Sequence, residues 1–76
     1  MKRLENSECQ SGFGEFIKRG RETRGLTQGE VATLTGISQS YYGYIERGER
    51  NIDLVLAMKI CRVLRIDLSD FVKGYL

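Results

Sequence analysis

The chain has 76 residues, 41% of them hydrophobic, and a net charge of +2. That length suits one small domain of about five short helices, and the composition argues against a disordered chain. No apolar run approaches the ~20 residues that would span a bilayer, and a near-neutral balance neither demands nor excludes nucleic acid.

Residues 1–11 show no periodicity and read as a flexible leader ahead of one domain over residues 12–76. The start is polar and has no apolar core of the signal-peptide kind, so a soluble, cytoplasmic protein is expected. A first helix is predicted over about Gly12–Arg24, with Phe13, Phe16 and Ile17 inward and Gly25 as its stop.

The next start signal is complete. Thr27 with Glu30 forms a capping box, and Leu26 with Val31 has the spacing of a hydrophobic staple. The second helix runs to about Thr35, offering Val31, Ala32 and Leu34 to the core, and Gly36 permits a sharp turn. Ser38 caps a third helix that reaches about Arg47 and ends at Gly48. Asp53 caps a fourth, to about Arg65, whose positions Leu54, Ala57, Ile60, Cys61 and Leu64 repeat at helical spacing. Asp67 caps a short last helix carrying Leu68, Phe71 and Val72. The fold class is therefore all-α, a compact five-helix bundle without strands.

Two short helices joined by a glycine-containing turn must cross steeply, which leaves one side of the second exposed. At about 100° per residue, Gln39, Ser40, Gly43, Tyr44 and Arg47 share an arc of roughly 140°, while Tyr42 and Ile45 face the other way. That arc is polar near its start and basic near its end. Glutamine can donate and accept at an adenine edge, and serine can pair with several bases. The amide end of a helix attracts phosphate, which suits Gln28, and Arg47 and Arg50 carry charge for the backbone.

The segment RETRGLTQGEVATLTGISQSYYGYIERGERN, with the apolar helix and IDLSDF after it, resembles the phage-repressor/Cro helix-turn-helix family. The resemblance runs from Phe13 to Phe71. It rests on LTQ, Ala32, Gly36-Ile37-Ser38, Ile45-Glu46 and Gly48 occurring in register. It implies a lambda-repressor-like domain whose third helix reads DNA. Gln39, Ser40 and Tyr44 match positions that touch bases. Gln28, Tyr41, Arg47 and Arg50 are assigned to the DNA backbone, and Arg21 with Glu46 matches a structural ion pair. The chain departs from the family at four places: Gly20 replaces a large apolar residue, Gly43 removes a side chain that often reads a base, Ile52 replaces proline, and Arg65 replaces glycine. Gly20 is expected to weaken its helix or to let it pack closely against a tyrosine.

Histidine is absent, and Cys9 and Cys61 stand far apart with no CxxC. Neither a zinc site nor a disulfide is expected, and no catalytic constellation, cofactor or small-molecule ligand is implied. The implied function is a transcriptional regulator, a repressor acting as a dimer on a palindromic operator. The apolar end of the chain, Val72, Tyr75 and Leu76, supplies a surface for a homodimer, with Val55 and Leu56 extending it. The rival reading is a protein-interaction module of the same fold, an antitoxin or co-regulator with little DNA binding of its own.

Overall fold

The computed structural model describes residues 7–75 and consists of helices α1 (Ser7–Thr23), α2 (Gln28–Thr35), α3 (Gln39–Glu46), α4 (Leu54–Leu64) and α5 (Leu68–Tyr75). Among the described residues there is no strand. The core is one cluster drawn from α1 to α4: Phe13, Ile17, Val31, Ala32, Tyr42, Ile45, Ala57, Ile60, Cys61 and Leu64, with Ile52 sealing it ahead of α4. Helix α5 closes the bundle by setting Phe71 edge-on against Phe13, with ring centres 5.5 Å apart.

Local chemistry starts the middle helices as predicted. Thr27 accepts from the Glu30 amide, and the Glu30 carboxylate accepts from the Thr27 amide, so two orphan donors are met reciprocally. Ser38 accepts from the Tyr41 amide and Asp53 from the Leu56 amide. Gly36 ends α2 at φ 79°, a left-handed conformation that any side chain would strain.

Three expectations need correction. Helix α1 begins by Ser7 rather than near Gly12, so Ser7–Ser11, read as part of a flexible leader, are helical. Long-range contacts supply what periodicity lacked: Gln10 donates to the Asn51 side chain, and Phe71 lies beside Gly12. Residues 1–6 lie outside the described residues. Leu34, assigned to the core, is 63% exposed. Helix α2 is only two turns long, and its buried face is filled by Val31 and Ala32. Gly20 packs against Ile66 rather than a tyrosine; a Cβ there would meet the Ile66 side chain at 3.0 Å. Arg65, which follows α4, takes the left-handed conformation itself, φ 55°.

One determinant of the α1–α3 packing is Gly14. A Cβ at this position would stand 2.6 Å from the carbonyl oxygen of Ile45 and closer still to that of Glu46. Only a residue without a side chain lets α1 lie against the last turn of α3.

Candidate nucleic-acid interface

Helix α3 buries Tyr42, Ile45 and Glu46 and exposes Gln39, Ser40 and Tyr44, and Arg47, which caps its end, is exposed too. The outward arc thus exists as a surface. Gly43 lies in its middle and is buried beneath its neighbours' side chains. Gln28, Gln39, Ser40, Gly43, Tyr44 and Arg47 line one shallow recess there.

The recess is braced from behind. Arg21 donates to both carboxylate oxygens of Glu46, Nε at 2.7 Å and Nη2 at 3.1 Å, and its Nη1 donates to the Leu26 carbonyl at 2.9 Å. Bidentate pairing of this kind is directional as well as charged. Gln28 Nε2 donates to Glu46 Oε1 at 3.0 Å. One carboxylate on α3 therefore holds α1 and the start of α2. Burial works to raise the Glu46 carboxyl, but the hydrogen bonds from Arg21 and Gln28 prevail and keep it below its ordinary value. Arg21 is correspondingly raised, first through its hydrogen bond to Glu46. The Tyr42 hydroxyl is buried nearby without a hydrogen-bond partner among the described residues, and burial pushes its pKa up.

At the basic end, the guanidinium carbons of Arg47 and Arg50 stand 4.8 and 5.0 Å from the Tyr44 ring centre. Arg47 Nε also donates to Glu49 at 3.3 Å. This pair is half exposed and contributes little to stability. Its effect is to orient Arg47. Tyr41 is half-buried and donates its hydroxyl proton to the Asn51 carbonyl at 3.1 Å, so it reaches a phosphate only by exchanging that bond. Gln28 lies at the head of α2, yet its side-chain end is turned toward Gly43.

The structure therefore brings Gln28, Gln39, Ser40, Tyr44, Arg47 and Arg50 to one face, with Arg21 and Glu46 joined beneath it. Sequence reasoning missed Glu49, whose role depends on a partner across a turn. It also missed which end of the Gln28 amide faces outward, since that depends on Glu46. Val72 on α5 is exposed, as are Leu54, Val55 and Met58 on α4. The Tyr75 side chain and Leu76 of the expected dimer surface lie outside the described residues. Among the described residues no helix is long and apolar enough to cross a membrane.

Residues 17–71 match the profile of the helix-turn-helix family. The chain belongs to that family. It is similar to YonR of Bacillus subtilis (strain 168), an uncharacterized HTH-type transcriptional regulator derived from the SPbeta prophage. The two are 32% identical over 62 residues, covering 82% of this chain and 57% of that protein. The chain thus spans less than two thirds of that relative. It is also similar to the restriction-modification controller protein C.AhdI from Aeromonas hydrophila, at 35% identity and a TM-score of 0.76 over 82% of this chain and 94% of that one. The controller protein C.Esp1396I, solved as a tetramer in complex with its natural 35 base-pair operator, superposes with a TM-score of 0.74 at 26% identity, over 86% of each chain.

Proposed function

We propose that the chain is a sequence-specific reader of double-stranded DNA that regulates transcription, acting as a homodimer on a palindromic operator. The observation that carries this reading is the outward face of α3: neutral hydrogen-bonding groups at Gln39 and Ser40, an aromatic ring at Tyr44, and guanidinium groups gathered at its exit. A short exposed helix with this gradient suits a major groove, where base edges are read by the first turn and phosphates are met by the flanks. Gln39, Ser40 and Tyr44 are assigned to base edges. Arg50, Tyr41 and the amide end of α2 at Gln28 are assigned to the backbone. The relatives support the regulatory role: one is named a transcriptional regulator and another was solved on its operator. A bacterial-type regulator of this kind works in the cytoplasm.

Selection of bound sequences from a random duplex pool tests the proposal. The expected result is an enriched, two-fold symmetric sequence whose affinity falls steeply with salt, through counterion release. No enrichment and no salt-sensitive binding would overturn it in favour of a protein-interaction module.

A further inference from the structure

We infer that the recess above Gly43 is itself a base-reading site, in which Arg47 and Gln28 together recognise one adenine. The inference rests on the DNA-reading function proposed above and names determinants within it. A Cβ on Gly43 would lie 3.3 Å from Arg47 Nη1 and 3.4 Å from Gln28 Oε1. Two side-chain tips, one from the end of α3 and one from the head of α2, therefore converge on the space that a residue at this position would fill. One tip is a donor and the other an acceptor.

The polarity of Gln28 follows from its partner. The Glu46 carboxylate can only accept, so the amide NH2 turns inward to it and the carbonyl oxygen turns outward. An outward carbonyl oxygen is repelled by phosphate, and this moves the Gln28 side chain off the DNA backbone. Arg47 is also held in place. Its Nε is engaged by Glu49 and its guanidinium stands against the Tyr44 ring, which leaves the Nη1 end directed into the recess. The Glu49 charge offsets the attraction of Arg47 for phosphate but leaves its directional N–H groups intact.

A donor beside an acceptor matches the major-groove edge of adenine, where N7 accepts and the N6 amino group donates. Arg47 Nη1 meets N7 and Gln28 Oε1 meets N6. Guanine would set its O6 against Gln28 Oε1, two acceptors face to face, so the site discriminates between the purines. Gly43 is then the residue that makes room for the reading groups.

The test compares the parent with Gly43→Ala and Arg47→Ala on the duplex selected by the parent and on all its single-base variants. Both obstacles to the new methyl are ends of flexible side chains, so Gly43→Ala displaces them without unfolding a helix that alanine favours, and its thermal midpoint holds or rises. The parent should prefer adenine to guanine at one position per half-site, roughly tenfold or more; Gly43→Ala, which displaces both groups, should lose that preference, and Arg47→Ala, which removes the partner of N7, should lose the preference for a purine over a pyrimidine there. Replacing that adenine with 7-deazaadenine should weaken the parent and leave Arg47→Ala unaffected. Unchanged base preferences in both variants would overturn the inference. So would a loss for Arg47→Ala that is equal on every duplex and flattens the salt slope by about one unit, because that marks a phosphate contact. If the parent selects no sequence, the proposed function falls too; if the parent selects one and the variants keep its preferences, only the recess is misassigned.

Discussion

At the scale of single residues, Glu46 and Gln39 make opposite predictions. Glu46 is buried, its side chain 3% exposed, against an Arg21 side chain that is 13% exposed. Removing one member of such a pair strands the other, so Glu46→Ala should lower folding stability by about 3 kcal/mol in a denaturant titration. The same carboxylate predicts an acid response. Its folded pKa is depressed below the ordinary 4.5, so its stabilisation is complete above that value and is lost as pH falls through the lower folded value. The thermal midpoint should therefore drop below about pH 4.5 in the parent and drop less in Glu46→Gln. Gln39 bears on recognition instead. It is exposed in the first turn of α3, and Gln39→Ala should cost about 1–3 kcal/mol on the selected duplex and little on an unrelated one, by fluorescence anisotropy. Equal losses on both would make Gln39 a positioning residue.

At the scale of elements, what was legible in the sequence was what is local. Thr27, Ser38 and Asp53 cap helices through bonds to residues three positions on, and Tyr42 and Ile45 were assigned inward from angular spacing alone. Leu34 was misplaced because a two-turn helix does not define its buried face by periodicity; its neighbours do. Ser7–Ser11 were misread because their helix is held by the α3–α4 connection and by α5, which are remote in sequence. Gly14 gave no signal at all, since its need for a missing side chain arises from α3. Two substitutions test these element contacts. Gly14→Ala should force α1 away from α3 and destabilise the fold by about 1–3 kcal/mol or more, the cost of overpacking, measured by chemical denaturation. Arg65→Gly should raise stability by about 1 kcal/mol, because it relieves a left-handed residue in a turn already closed by the Ile66 amide on the Cys61 carbonyl at 2.9 Å.

At the scale of the whole molecule, one recognition helix contacts too few base pairs to single out a site among many competitors, and pairing two copies doubles the reading. Val72, 41% exposed, and the α4 group of Leu54, Val55 and Met58 provide apolar surface on helices other than α2 and α3, the pair proposed to read DNA. Sedimentation equilibrium should show a dimer at micromolar concentration. Val72→Asp should weaken it while leaving the helical circular dichroism unchanged, and a parent that stays monomeric with and without DNA would exclude this interface. The half-sites should then repeat about 34 Å apart, one turn of duplex.

The shared carboxylate of Glu46 has a kinetic consequence. Because it fastens α1 and the start of α2 to α3, the last turn of α3 cannot open without disturbing the part-buried ion pair of Arg21 and Glu46. Amide hydrogens in α3 should therefore exchange through nearly the same opening event as those of α1, rather than by fraying. In the proposed DNA-reading role, a helix face held in this way loses little conformational freedom on meeting DNA, so capture of a matched site should be limited by diffusion and orientation, not by folding of the helix.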